Sequence, residues 1–339
     1  MDTNTIDSIV IDHGTGAKLS GQLVALIAET LGDVYIGEME DSAILKIDSS
    51  RIAVTTDSFV ITPIFWGNGN IGKIAVCGTV NDLAVSGATP KYLTLAFVLE
   101  VGLKIKDLIA ILESIRDTAI EANVKIVAGD TKVVNKGEID KIFINTTGIG
   151  EFVREPVRPC NISAGDKIIL SGYIGNHSIH LLSMRAGLGF EKRILSDCAP
   201  LNKMIDEVLT SVPCGSVSSI RDVTRGGLCA VLHEFSNIIN KEIIFDEDKL
   251  PIQHETMMAA DMLGIDPIHL ANEGCVCLFV RPEEEENVLK TLRNNKYGIN
   301  AVTIGCVTDK VGSKVIIKKE DGSEEELQEL IGAELPRLC

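Results

Sequence analysis

Four aspartates stand where apolar runs end or break. Asp57 follows Ile52-Ala53-Val54-Thr55-Thr56, and Asp130 closes Ile126-Val127-Ala128-Gly129. Asp82 lies in Cys77-Gly78-Thr79-Val80-Asn81-Asp82-Leu83-Ala84, with apolar residues on both sides, and Asp41 comes just before Ala43-Ile44-Leu45. A carboxylate among apolar neighbours is costly unless it is paired or bound to metal. Hard oxygen ligands gathered with phosphate oxygens are what Mg²⁺ prefers. Taken singly, each aspartate also reads as a turn or helix-cap residue. Four of them in one domain point to a Mg²⁺–nucleotide site, although spacing alone does not make them converge.

Arg221-Asp222-Val223-Thr224-Arg225-Gly226-Gly227-Leu228 leads into a helical pattern. Thr224 reads as its cap, and the glycines let backbone N–H groups approach an anion at the helix start. An ordinary capped helix fits equally well, but two arginines in so acidic a chain favour phosphate. Ala271-Asn272-Glu273-Gly274 precedes the strand-like run from Cys275 to Val280. Glu273 reads either as a general base with a raised pKa or as a solvated turn residue. Gly67-Asn68-Gly69-Asn70-Ile71-Gly72-Lys73 matches a dinucleotide fingerprint and the first seven positions of a P-loop. Ile74 removes the hydroxyl that a P-loop gives to Mg²⁺, Pro63 argues against a preceding central strand, and the stretch reads as a Gly-rich turn entering a helix.

Nine cysteines occur without a C-x-x-C pair, which suits reduced thiols in a cytoplasmic protein. Cys275 and Cys277 alternate onto one face of a strand and read as core residues. Cys339 is the final residue and no prenylation box surrounds it. From Glu325 a free tail would extend at most ~45–50 Å. A thiol on such an arm suits a covalent carrier, and an incidental cysteine at a frayed end is the plainer reading.

These residues need a scaffold, and hydrophobic periodicity supplies an outline. Helices are expected over residues 17–31, 72–85, 105–122, 178–185, 201–211, 226–239 and 283–295. Strands are expected over 42–47, 51–56, 92–99, 124–128, 141–150, 167–170, 275–280 and 301–307, the fourth stopping at Gly129-Asp130. Arg154-Glu155-Pro156-Val157-Arg158-Pro159 breaks both periods and marks a boundary. The expected fold class is α+β, with a domain over 1–155, a second α/β domain over 156–324 and a tail over 325–339. The 339 residues are 45% hydrophobic, enough for real cores and against intrinsic disorder. A net charge of −16 disfavours nucleic acid and anionic lipid as partners. No run approaches the ~20 apolar residues of a membrane span, and the N-terminus is no signal peptide.

Together, His13-Gly14-Thr15-Gly16-Ala17-Lys18, Thr55-Thr56-Asp57-Ser58-Phe59-Val60, the run from Gly78 to Ala84, Gly129-Asp130-Thr131-Lys132-Val133-Val134, Asp222-Val223-Thr224-Arg225-Gly226-Gly227, Asn272-Glu273-Gly274 and the closing Pro336-Arg337-Leu338-Cys339 resemble the HypE family of hydrogenase maturation factors. The match runs in order along the whole chain. Ala17 stands where the family usually has a second glycine, and Leu338 where Ile or Val is common. Relatives of that family include aminoimidazole ribonucleotide synthetase, selenophosphate synthetase and thiamine-phosphate kinase.

The resemblance implies that Cys339 accepts a carbamoyl group from the carbamoyltransferase HypF. ATP then drives its dehydration to a thiocyanate, and cyanide passes to a HypC–HypD complex for the hydrogenase iron. It also implies a homodimer in which two N-terminal sheets form a barrel with ATP in grooves at the interface. Mg²⁺ would sit on Asp41, Asp57 and Asp82, and nucleotide on those residues with Asn81, Gly129, Asp130, Thr131, Arg225 and Gly226. Cys339, Glu273 and Lys132 would be catalytic, as carrier, general base and charge-neutralising cation. The rivals are a sister activity and a non-catalytic carbamoyl carrier. Selenide chemistry uses a reactive residue near the N-terminus, whereas the first cysteine here is Cys77.

Overall fold

The N-terminal half builds a four-stranded sheet against two helices, and the C-terminal half builds a seven-stranded one. The computed structural model describes residues 7–15, 18–37 and 42–329. The first domain contains α1 (Lys18–Leu31), β1 (Ile52–Phe59), β2 (Phe65–Trp66), β3 (Gly69–Asn70), α2 (Ile71–Val85), β4 (Thr89–Glu100), α3 (Ile105–Ala122), β5 (Lys125–Val134) and β6 (Ile142–Glu151). Its sheet runs β1-β6-β4-β5, antiparallel except for the parallel β4–β5 pair.

Helix α3 buries Leu108, Ile111, Leu112, Ile115, Ala119 and Ala122, a three-and-four spacing that covers one face. Each such large aliphatic side chain stabilises the fold by roughly 1.5–3 kcal/mol. Asn123 ends the helix in the left-handed region. Helix α2 is buried almost all round, because it packs on β1 and β6 and also touches α5 and β8 of the second domain. Asn70 caps it, accepting from the N–H groups of Gly72 and Lys73 at 2.8 and 3.2 Å. The Gly67–Lys73 stretch is therefore a turn entering a helix.

The second domain contains β7 (Lys167–Leu170), α4 (Asn176–Ala186), α5 (Asn202–Ser211), β8 (Val217–Asp222), α6 (Gly227–Ile239), β9 (Lys241–Asp246), α7 (His254–Leu263), β10 (Val276–Val280), α8 (Glu285–Asn294), β11 (Val302–Val311), β12 (Val315–Lys318) and β13 (Glu324–Glu326). Its sheet order is β13-β12-β9-β11-β7-β10-β8.

Three expectations need correction. No strand forms over 42–47: β1 takes β6 as its partner from Ile52–Glu151 to Phe59–Ile144, and Ile44 is left 90% exposed. Strand β5 does not stop at Gly129-Asp130, because β4 holds it through Leu95–Gly129 and Ala96–Asp130. A Cβ on Gly129 would lie 2.7 Å from the Leu95 carbonyl oxygen, so only glycine permits that approach. The segment expected to be free from 325 is held further, since β13 pairs with β12 and Leu327 is buried in the second core.

Candidate functional site

Strand β1 alternates its side chains, and Thr55 and Asp57 face α2 while Thr56 and Ser58 face outwards. Asp57 accepts from Thr79 at 2.9 Å, and Asp82 accepts from Thr55 at 2.8 Å. Thr79 in turn shares a hydrogen bond with Thr146 of β6. The end of β8, which packs on α2, brings a third carboxylate, Asp222, into electrostatic reach of both. Burial, then Asp222 and Asp57, push Asp82 up to about 7, with Thr55 acting in the other direction. Burial also raises Asp57, against Thr79 and Arg225, and raises Asp222 against Arg221 and Thr224. Three acids of one sign that repel one another are a site a divalent cation would relieve. Among the described residues, no group of three or more His, Cys, Asp or Glu side chains could hold a metal by itself. That set fits Mg²⁺, which takes one or two carboxylates and completes its shell with water and phosphate oxygens.

Glu273 lies in the turn before β10 and is 4% exposed. Burial drives its carboxyl well above the usual range, and Cys198, Asp197, Asp222 and Asp57 add to the rise. A carboxylate raised in this way is a stronger base once ionised. The reading of Glu273 as a solvated turn residue does not match its burial.

A second cluster lies on the other edge of the sheet. Lys132 donates to Asp130 at 3.0 Å, and that pair holds Asp130 below the ordinary carboxylate range. The Thr131 N–H donates to the same carboxylate at 2.8 Å. Gly129, Asp130, Thr131 and Lys132 border a cavity of about 450 Å³ whose apolar walls include Leu23 and Ile27 of α1 and Phe97 of β4. That volume is in the range of small-molecule sites.

The register separates the two clusters. Asp57 pairs with Thr146, Thr146 with Leu95 and Leu95 with Gly129, so the rows lie three strand spacings apart, about 14 Å. Asp130 pairs with Ala96 on the opposite face from Asp57. The single chain therefore brings together Asp57, Asp82, Asp222 and Glu273, but not Asp130 and Lys132 with them.

The other expected site residues fall as follows. Asn81 is buried, its amide donating to the Ala199 carbonyl at 3.0 Å and accepting from Leu201 N–H at 2.7 Å. Arg225 and Gly226 are exposed beside the acids, and Gly226, at φ 79°, is the residue that opens α6. Thr224 is not the cap: its hydroxyl turns back to Asp222. Asp41 and Cys339 lie outside the described residues. Sequence reasoning missed Asp222 and Asp197 as site residues. A signal existed for Asp222, in the loop already singled out, but none marked Asp197.

Two family models match the chain: AIR synthase related protein, N-terminal domain, over residues 39–152, and the corresponding C-terminal domain over residues 163–318. The carbamoyl dehydratase HypE of Escherichia coli is 38% identical over 98% of this chain and 100% of its own. A solved hydrogenase maturation protein HypE in complex with ATP superposes with a TM-score of 0.92 at 36% identity, covering 97% of this chain and 99% of that one. A HypE–HypF complex matches with a TM-score of 0.79 at 41% identity, over 93% of this chain and 100% of the other.

Proposed function

We infer that this chain, which belongs to the HypE carbamoyl dehydratases of the AIR synthase-related family, dehydrates a carbamoyl group on its C-terminal cysteine at the expense of ATP. The product, a thiocyanate, serves the maturation of nickel–iron hydrogenase. The observation that carries this reading is the meeting of Asp57, Asp82 and Asp222 with buried Glu273 between two domains of that family.

Asp57 and Asp82, with Asp41, would hold Mg²⁺, and Arg225 and the N–H groups at Gly226 would face the phosphates. Bound Mg²⁺–ATP supplies the phosphoryl group that turns the amide oxygen into a leaving group. Lys132 neutralises charge on that oxygen, and positioning of this kind is most of what phosphoryl transfer asks of a protein. As the oxygen is phosphorylated, nitrogen gives its first proton to Glu273. As carbon–nitrogen becomes a triple bond, the oxygen departs with the phosphate, which takes the second proton and leaves as hydrogen phosphate. Cys339 carries the fragment throughout and keeps its sulfur–carbon bond.

A homodimer is the assembly that would join the two clusters. Its support is the outer face of the first sheet, where Ile52 and Val54 are 45% and 60% exposed and Tyr92, Val98, Phe143 and Ile149 are half-buried. A HypF-type carbamoyltransferase as donor and a HypC–HypD complex as acceptor complete the reading, in the cytoplasm.

Incubating the chain with HypF, carbamoyl phosphate and ATP should add a carbamoyl mass to the C-terminal peptide and then remove one water from it. Cys339→Ala should abolish both changes, and modification persisting elsewhere on that variant would refute the assignment.

A further inference from the structure

We propose that the segment 197–201 is a strap that positions Glu273, with Asp197 as the positioning residue. The inference rests on Glu273 being the base and adds what holds it in place.

Asp197 spends both carboxylate oxygens on consecutive amides of the base turn. Glu273 N–H donates to Oδ1 at 3.0 Å and Gly274 N–H to Oδ2 at 3.1 Å. The strap also donates in return, from Ala199 N–H to the Glu273 carbonyl at 3.3 Å. A Cβ at Gly274 would come within 1.8 Å of the Asp197 carbonyl oxygen, so the two backbones touch. On its far side the strap is gripped by Asn81, which precedes Asp82 on α2. Asn272 completes the hold, its amide donating to the carbonyls of Val223 and Leu270 at 3.0 Å each.

An acid is a costly residue for this place. Asp197 is half-buried, and desolvation raises its carboxyl to about 6 against the amides it accepts from. An asparagine would be neutral, yet it would satisfy one of the two amides and point N–H at the other. Only a carboxylate accepts from both, and a pair of adjacent N–H groups is an anion-binding concavity. The result is a chain of hydrogen bonds from the helix that carries Asp82 to the turn that carries Glu273. Two parts of the site on different domains are thus set at a fixed offset, and a displacement of about 1 Å in such a site costs about 10²-fold in rate.

The test is the single-turnover rate of water loss from the carbamoylated tail, with ATP affinity measured beside it, in Asp197→Asn, Glu273→Gln and the double variant of the full chain. The expected result is a rate about ten- to a hundredfold down in Asp197→Asn with ATP affinity within about twofold. In the Glu273→Gln background the same change should matter less than about threefold, because a positioning residue acts through the group it positions. A parental rate in Asp197→Asn beside a slow Glu273→Gln overturns the strap and leaves the base intact. A parental rate in Glu273→Gln removes the base, and the strap falls with it. Loss of ATP affinity along with rate, or full additivity in the double variant, also overturns it. If Asp197→Asn fails to fold, hydrogen exchange on the parent decides. Protected amides at Glu273 and Gly274 support the strap, and exchange at the free-peptide rate refutes it.

Discussion

The Thr55 hydroxyl donates to Asp82 across 2.8 Å, so β1 and α2 hold one carboxylate between them. That bond opposes the burial and the repulsion from Asp222 and Asp57 that bring Asp82 up to about 7. Asp82 is then only partly ionised at neutral pH, and a cation must compete with a proton. Mg²⁺-dependent nucleotide affinity should rise from about pH 6 to about pH 8 and then level off. Thr55→Val should weaken it severalfold at neutral pH and less in alkali. Affinity that is flat over this range would show Asp82 to be no ligand.

Stability should move the other way. Asp82 rises from an ordinary 3.8 to about 7 on folding, and Glu273 rises well above its ordinary value. Between the two values of each group the folded chain holds more protons than the unfolded one, so stability falls as pH climbs. Asp130, Glu121 and Glu155 are lowered and stay ionised in both states here. His269, lowered by burial, acts oppositely, but its effect fades above about pH 6.5. Without nucleotide, the melting temperature should drop from about pH 6.5 to about pH 8, and Asp82→Asn should flatten the drop. A rise over that range would contradict the electrostatics.

Asn81 offers a contrast between two roles. Its amide closes two hydrogen bonds across the domain boundary, so Asn81→Ala strands Ala199 O and Leu201 N–H. The expected cost is about 2–4 kcal/mol in urea unfolding, with ATP affinity changed less than about threefold. Unchanged stability with weakened ATP binding would return Asn81 to the nucleotide.

Lys132 should behave in reverse. Its pair with Asp130 is solvent-exposed, and such pairs contribute about 0–1 kcal/mol. Lys132→Met should melt with the parent and dehydrate the tail at least about 10²-fold more slowly. A clear loss of stability with normal turnover would make the lysine structural.

Much of this was legible in the chain because local patterns agreed with the fold. The 105–122 helix and the 167–170 strand match their expected bounds, and Asp82 and Glu273 both come within electrostatic reach of Asp57. What stayed hidden depends on distant pairing. Gly129 and Asp130 are poor strand residues, and pairing with β4 keeps β5 extended through them. Asp222 joins Asp82 from a position 140 residues further on, through the packing of β8 on α2. Asp197 carries no pattern at all, since its meaning lies in two amides of a turn elsewhere in the chain. The separation of Asp57 from Lys132 was illegible too, because sheet order is not written in hydrophobic period.

That separation across the sheet has a genetic consequence. If each working centre takes its acids from one subunit and its lysine from the other, defects in the two groups should complement. Chains bearing Asp57→Asn and Lys132→Met, each inert alone, would recover activity when co-expressed, because every mixed pair rebuilds one intact centre and one doubly broken. Two defects within the same group would stay silent however the chains were combined.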